Sequence, residues 1–298
     1  MSKKFISVDS GGTKTLGIIY DEVGNELKSF TTSQSNFAVN LDNAKNEVQK
    51  VLDELTLGQS IDMIVIGAAG YSRIPDIKAY EKALEERYQT AVKIYPDAYL
   101  GLYANYDDKY PFIYQVAGTG SISYAIYEGN VHRFGGYGHI FGDYGSAYSV
   151  SIRLLNETME RIDALKKPNP VQKKVLKQLG LKTREEIIGF AHKETKQVIA
   201  GIARLIDKES NHAYVQKLYL KEAKVMLSMI EKIIKTLKIK DTFKLVLRGG
   251  FIQNANGLKG QLLNLLNQKN INFLYETGTH EPVYGGYNLA KAYMRRDG

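Results

Sequence analysis

The sequence predicts an α/β protein made of two like-folded halves, each a mixed sheet flanked by helices, with a cleft between them. One observation is a repeated hairpin pattern, in which an apolar run, a turn of small residues and a second apolar run occur at residues 5–21 (FISVDSGGTKTLGIIYD) and again 107 positions later at residues 112–128 (FIYQVAGTGSISYAIYE). The other is the alternation of strand and helix patterns after each hairpin, which is typical of a sheet covered by helices. With 298 residues, the chain is long enough for two domains that each bury a core.

The first half is predicted to open with three strands within residues 3–31. Asn40 can then cap a helix over residues 40–55, where apolar residues recur at helical spacing. The remaining predicted elements are a buried strand (61–67), a helix (76–88), a strand (91–95) and a short helix after Asp97, with the boundary near Tyr110.

The second half is predicted to restart the strand pattern at Pro111 and to pass through a glycine-rich loop after Phe134. A long helical region should follow, broken by the KKPNP segment at 166–170. The last predicted elements are helices within 146–237, a strand (243–247), a Gly-Gly turn, a helix (256–267), a strand (271–275) and a helix with Pro282 in its first turn.

Each hairpin tip is predicted to bind phosphate through backbone N–H groups, because small residues let an anion approach the chain. The first tip offers Gly11, Gly12, Thr13 and Lys14 after the carboxylate of Asp9, which could hold the hydration shell of Mg²⁺. An ordinary turn with a self-bonded Asp would explain one such motif equally well. The second tip, with Gly118, Thr119 and Gly120, favours the phosphate interpretation.

Four further segments carry candidate site residues, and each has a structural alternative. Asp97 could cap a helix or act as a general base, and the sequence alone does not decide between them. Asp143 in the glycine-rich segment 134–146, which also contains Gly138, could bind sugar hydroxyls or cap the next helix. Asn36 could bind a sugar or form a turn, and Gly249 with Gly250 could let adenosine lie against the chain or simply link strand to helix.

The composition excludes several classes of protein. There is no cysteine, so disulfides, zinc ribbons and iron–sulfur clusters are ruled out. The net charge of +8 raises the possibility of nucleic acid, but the lysines of residues 221–240 alternate with apolar residues at helical spacing, which is typical of a solvated helix face. Neither a signal peptide nor a membrane span is recognisable, so we expect a cytoplasmic protein without membrane or nucleic-acid partners. The sequence leaves open whether two copies form a homodimer.

Taken in order, the motifs DSGGTKT, QSN, GAAG, PDA, AGTGS, GGYGHIFGDYGSAY, RGG and EPVYGGYNLA resemble the N-acetylglucosamine kinase branch of the sugar kinase, heat-shock protein and actin superfamily, the branch grouped with the BadF/BadG/BcrA/BcrD ATPases. The resemblance covers essentially the whole chain. It implies two actin-like (ribonuclease H-like) domains, at 1–110 plus 287–298 and at 111–286. It also implies transfer of the γ-phosphate of ATP, with Mg²⁺, to the 6-hydroxyl of an amino sugar, here N-acetylglucosamine and/or N-acetylmuramic acid.

Carried over by position, the resemblance makes Asp97 the catalytic base. It assigns phosphate contacts to the two loops, adenosine contacts to Gly249 and Gly250, and sugar contacts to Asn36, Gly70, Gly138, Asp143 and Asp97. Tyr144 departs from the family, which commonly has a glutamate there. We hypothesise that the lost negative charge eases entry of an acidic sugar such as N-acetylmuramic acid. The alternative is an ATPase that drives a protein partner, although the relatives of that kind hold an iron–sulfur cluster through cysteines that this chain lacks.

Overall fold

The computed structural model describes residues 2–278 and 280–296, the side chains of 295 and 296 excepted. The chain divides into two compact units, which we call unit 1 (Met1–Asp107 with Gly278–Gly298) and unit 2 (Asp108–Thr277). Unit 1 ends at Asp107, three residues before the predicted boundary at Tyr110. The chain returns to unit 1 at Gly278, nine residues before the predicted position, 287.

The elements of the first part of the chain alternate as the sequence predicts. They are β1 (Lys4–Ser10), β2 (Thr15–Asp21), β3 (Glu26–Thr32), α1 (Leu41–Thr56), β4 (Met63–Ala68), a 3₁₀ turn (Tyr71–Arg73), α2 (Ile77–Tyr88), β5 (Ala91–Pro96) and α3 (Asp97–Ala104). The predicted cap of α1 is confirmed, because the Asn40 side chain accepts a hydrogen bond from the Asn43 N–H at 3.0 Å.

The second part of the chain opens with three strands and continues with a run of helices. The elements are β6 (Phe112–Ala117), β7 (Ser121–Tyr127), β8 (Asn130–Gly135), α4 (Ala147–Asp163), α5 (Pro170–Leu179), α6 (Arg184–Lys193), α7 (Lys196–Asp207), α8 (Ala213–Leu237), β9 (Phe243–Arg248), α9 (Gly250–Asn254), α10 (Leu258–Gln268), β10 (Phe273–Glu276) and α11 (Tyr284–Arg296).

The two sheets have the same topology. In unit 1 the strand order is β3-β2-β1-β4-β5, and in unit 2 it is β10-β9-β6-β7-β8. In each sheet an antiparallel meander of three strands pairs through its first strand with a parallel strand, β1 with β4 and β6 with β9. The predicted mixed sheets are therefore confirmed. Since the carboxyl ends of parallel strands share a sheet edge, this topology fixes where the hairpin tips lie.

The sequence was wrong about three element boundaries. The segment predicted as a Gly-Gly turn opens the short helix α9, and the helix predicted from residue 256 begins at Leu258. The last helix begins at Tyr284, so Pro282 lies in the preceding turn, where its carbonyl accepts from the Gly285 N–H at 2.8 Å. A five-residue helix is too short to show a periodic apolar pattern, which is why α9 escaped prediction.

The last helix is fixed to unit 1 by two glycines. A Cβ built on Gly285 would meet the carbonyl oxygen of Leu100, and one built on Gly286 would meet Ser7 Oγ. The backbone of α11 therefore lies against α3 and β1 at a distance that no side chain permits. Ser7 also donates to the carbonyl of Val283 at 2.5 Å, which ties the start of α11 to the central strand.

No helix in the described part of the chain combines the length and the apolar character that a membrane crossing requires.

Candidate functional site

The first hairpin tip joins β1 to β2 in unit 1. The Gly11 N–H donates to the Lys14 carbonyl at 3.0 Å, which closes the turn, and Gly12, Thr13 and Lys14 are exposed. Within the described residues, the N–H groups of Gly12 and Thr13 donate to no backbone carbonyl, and a Cβ on Gly12 would meet nothing within 4 Å. The tip can therefore offer backbone donors to an anion at little steric cost.

Three buried hydroxyl groups support this tip from beneath. Ser35 Oγ lies 2.7 Å from Ser10 Oγ and 2.6 Å from Thr15 Oγ1, and Thr15 also donates to the carbonyl of Ser33 at 2.7 Å. All three side chains are fully buried. Because the network joins both ends of the tip to the segment before α1, it holds the tip in one position.

Parallel pairing brings the candidate base to the same sheet edge as the first tip. Asp9 pairs with Gly67 in β4, and the next pair along, Ala68 with Pro96, ends at the residue before Asp97. Asp97 opens α3, and its Oδ1 accepts from the Ala98 N–H at 2.9 Å. It does not cap α3, since Pro96 occupies the cap position.

The two carboxyl groups influence each other electrostatically. Burial, helped by the charge of Asp97, raises the pKa of Asp9 to about 6, while Lys14 lowers it and Glu281 raises it. Burial also raises the pKa of Asp97, although hydrogen bonds from backbone N–H groups oppose the change. Asp97 is exposed on one side, while protein atoms surround the rest of its carboxyl group. The carboxyl group is therefore partly desolvated although the residue is exposed.

Two candidate sugar residues, Asn36 and Gly70, are neighbours beside this edge. Gly70 has a φ of +77°, and a Cβ there would lie 2.6 Å from Asn36 Oδ1 and 2.4 Å from the Ala38 nitrogen. Asn36 Oδ1 accepts from the Ala38 N–H at 2.9 Å, so the side chain also forms the turn that the structural alternative predicts. Its amide nitrogen remains available to a ligand.

The second hairpin tip, in unit 2, is turned so that its carbonyls face a helix. The first turn of α4 donates to them, from the Ala147 N–H to Gly118 at 2.9 Å and from the Tyr148 N–H to Thr119 at 3.2 Å. Among the described residues, the N–H groups of Thr119 and Gly120 donate to no backbone carbonyl. This tip therefore also presents backbone donors, and its carbonyls accept hydrogen bonds from the first turn of α4.

A cavity of about 810 Å³ in unit 2 joins the second tip to the segment after β9. Gly118 and Thr119 line it together with Gly250, whose nitrogen would lie 4.0 Å from a Cβ built on Gly118. Gly249 does not line it; its φ is +106°, and a Cβ built on it would lie 2.5 Å from the Ala117 carbonyl oxygen. Gly249 thus holds the tip in place, and Gly250 is the glycine that faces open space.

One face of α7 forms a wall of this cavity, which the sequence did not predict. Residues at helical spacing line it: Gln197, Ala200, Gly201 and Arg204. A Cβ on Gly201 would meet nothing within 4 Å, so the cavity extends to the helix backbone. In the sequence, the only sign of this wall is the pair of small residues Ala200 and Gly201 in an amphipathic helix. Such a pair is equally typical of a helix packed against another helix.

Asp143 lies under the second tip and is 5% exposed. Its Oδ1 accepts from the Ser121 N–H at 3.1 Å, and its Oδ2 forms an ion pair with Lys196 Nζ at 2.5 Å. It does not cap α4, whose cap is Ser146. Gly138, with a φ of +81°, has open space at its Cβ position.

The chain matches the model of the BadF/BadG/BcrA/BcrD ATPase family over residues 6–286. It belongs to that family. This family member is 32% identical over 286 residues to the N-acetylmuramic acid/N-acetylglucosamine kinase of Clostridium acetobutylicum, with 89% of this chain and 90% of the relative covered. It is 29% identical over 293 residues to the N-acetyl-D-glucosamine kinase of Dictyostelium discoideum, with 90% of this chain and 91% of the relative covered.

The fold of this family member is similar to that of a Chromobacterium violaceum protein whose structure was provisionally described as an N-acetylglucosamine kinase. The TM-score is 0.68 at 20% identity, and 95% of this chain and 97% of the other are covered. At this identity the likeness concerns the fold alone. It agrees with the two helix-flanked mixed sheets that the sequence predicts.

Proposed function

We propose that this protein is an ATP-dependent amino-sugar kinase that transfers the γ-phosphate of ATP to the 6-hydroxyl of N-acetylglucosamine and/or N-acetylmuramic acid. The names of the two sequence relatives support the substrate class. The observation that carries the proposal is the position of Asp97 at the sheet edge beside Asp9 and the first tip, because phosphoryl transfer needs a base for the acceptor hydroxyl next to a phosphate-binding group.

In this proposal unit 2 holds the nucleotide. The 810 Å³ cavity is large enough for an adenosine between α7 and α9, and Gly118 and Thr119 at its edge are placed to meet the phosphates. The exposed N–H groups of Gly12 and Thr13 in unit 1 supply a second set of donors. Donors fixed before the reaction stabilise charge that develops on the transferred phosphoryl group.

Asp97 acts as the general base in this proposal. Burial raises its pKa, which makes the carboxylate a better proton acceptor than an ordinary exposed Asp. Asn36 and Gly70, beside the same edge, are proposed to contact the sugar, and so are Asp143 and Gly138 in unit 2.

Asp9 fits the second shell of a hydrated Mg²⁺. Its donor set is hard oxygen, and its pKa is raised partly by neighbouring negative charge, which a cation would relieve. Among residues 2–278 and 280–296, no group of three or more ligating side chains is arranged to hold a metal, so the ion would arrive with the nucleotide. When bound, Mg²⁺ would neutralise phosphate charge.

Tyr144 bears on the choice of sugar. Its side chain is 59% exposed, and its backbone carbonyl accepts from Ser121 Oγ at 2.6 Å, so the backbone is fixed while the ring is free to face a ligand. With no carboxylate at this position, a muramic acid carboxylate would meet less repulsion.

The test is ADP release with N-acetylglucosamine, N-acetylmuramic acid, glucosamine, glucose or no sugar. We expect release that depends on an N-acetyl sugar, and a loss of turnover by about 100-fold or more in Asp97→Asn with ATP affinity nearly unchanged. Asp42→Asn makes the same chemical change at an exposed helix start in unit 1 and should keep full turnover. Release that ignores the sugar would favour a partner-coupled ATPase, and full turnover in Asp97→Asn would remove Asp97 as the base.

A further inference from the structure

A lysine from a distant helix lies against the second hairpin tip. Lys196 is the first residue of α7, and its Nζ would lie 2.7 Å from a Cβ built on Gly120. The side chain is 29% exposed, so the ammonium group has both a protein partner and access to solvent. No residue of the tip itself, 118–120, carries a positive charge.

The position of Lys196 is set by a buried carboxylate. Lys196 Nζ lies 2.5 Å from Asp143 Oδ2, and Asp143 Oδ1 accepts from the Ser121 N–H at the end of the tip. Asp143 thus connects the lysine to the backbone of β7. Without such a partner, a lysine at the start of a helix would sample many rotamers over the solvent.

The backbone of the tip offers donors to an anion beside the Lys196–Asp143 pair, whose ammonium nitrogen and carboxylate oxygens would lie 2.7 and 2.8 Å from a Cβ built on Gly120. The carbonyls of Gly118 and Thr119 already accept from α4, while the N–H groups of Thr119 and Gly120 have no backbone acceptor among the described residues. The residue after Lys196, Gln197, lines the same cavity as Gly118 and Thr119. The ammonium group therefore lies against Gly120 at the tip, on the residue that precedes a lining residue of the proposed nucleotide cavity.

We propose that Lys196 binds the terminal phosphates of ATP at the second tip and that Asp143 positions it for this contact. The inference rests on the proposed function, since it assumes that the cavity holds a nucleotide. Lysine contacts phosphate as a point charge, and a charge-assisted hydrogen bond of this kind contributes about a 10- to 100-fold change in affinity.

The test compares the affinities of wild type, Lys196→Met and Lys196→Arg for AMP, ADP and ATP by calorimetric titration. We expect Lys196→Met to bind ATP about 10- to 100-fold more weakly and AMP within twofold of wild type, with Lys196→Arg in between. The control is Lys193→Met, which removes an exposed lysine from the last turn of α6 and should bind all three nucleotides normally.

A purely structural role for Lys196 makes a different prediction. Lys196→Met leaves Asp143 buried and unpaired, which could deform the tip. The double variant Lys196→Met/Asp143→Asn removes that unpaired charge, so a structural role predicts that ATP affinity recovers, whereas our proposal predicts that it stays low while thermal stability recovers.

Equal ATP affinity in wild type and Lys196→Met, or recovery in the double variant, would overturn the assignment of Lys196. Wild-type protein that binds none of the three nucleotides would overturn both proposals. Wild-type protein that binds ATP through Lys196 but phosphorylates no sugar would overturn the proposed function alone.

Discussion

Replacing Asp9 by asparagine should stabilise the nucleotide-free protein at neutral pH while it abolishes activity. The pKa of Asp9 is raised from 3.8 to about 6, so its ionisation in the folded state is opposed by burial and by Asp97 and Glu281. Roughly two pKa units at about 1.4 kcal/mol each give an upper bound of ~3 kcal/mol. Asp9 is partly exposed, so solvent screening reduces the expected gain to about 1–2 kcal/mol.

The sign of the pH dependence follows from proton binding. Between pH ~4 and ~6 the folded protein holds the Asp9 proton more tightly than the unfolded chain does, so stability falls as the pH rises through this window. Below pH ~4 the carboxyl group is protonated in both states and the destabilisation disappears. The difference in stability between Asp9→Asn and wild type should therefore be small near pH 4 and reach its maximum above pH ~7.

Thermal unfolding monitored by circular dichroism from pH 4 to 8, with EDTA present, measures this difference. We expect the Tm of Asp9→Asn to exceed that of wild type by about 2–3 °C at pH 7.5. Asp42→Asn, which removes a favourable charge from the start of α1, should leave Tm equal or slightly lower. A lower Tm for Asp9→Asn at pH 7.5, or a difference that does not change with pH, would refute the electrostatic argument.

Two further predictions concern glycines. Gly201→Leu should fill the cavity beside α7 and weaken ATP binding by more than 10-fold without loss of stability, whereas Gly260→Leu, on another exposed helix position with no atom within 4 Å, should bind ATP normally in the same titration. Gly286→Ala should lower the free energy of unfolding by about 1–3 kcal/mol or more, because the new methyl group overlaps Ser7. Gly189→Ala in α6 should raise the free energy of unfolding by about 0.5–1 kcal/mol. Denaturant titration of both variants measures the two changes.

The fold was largely predictable because local signals agreed with one another. Asn40 stands before a run of apolar residues at helical spacing, and the structure shows both the cap and the buried face of α1. The sheets followed from repeated hairpins whose first strands are rich in apolar residues and largely buried. Prediction failed at α9, where Gly249 and Gly250 look like an ordinary turn. A glycine is needed at 249 because the backbone there packs against Ala117, a residue more than a hundred positions earlier. No local sequence pattern encodes such a contact.

The candidate site divides in the same way between what is local and what is distant. Gly12 and Thr13 could be proposed as phosphate contacts because a turn of small residues between two strands is a short continuous motif. The roles of Ser35, Arg204 and Lys196 come from other segments that the fold brings to the hairpin tips or to the cavity, and their sequence neighbours give no sign of it. For such residues the signal is three-dimensional.

The two tips show why duplication alone does not make two equal sites. The repeat places Val116 at the position of Asp9 and Ser121 at the position of Lys14, so the second tip keeps the backbone geometry and loses both charges. The structure supplies a carboxylate and an ammonium group there from elsewhere, as Asp143 and Lys196. A backbone cradle can be copied because it depends on a few small residues, whereas the second tip takes its charges from other segments that the fold places beside it. Exchanging Val116 for Asp should therefore not recreate the first tip, because the buried carboxylate of Asp143 already places a negative charge beside the second tip.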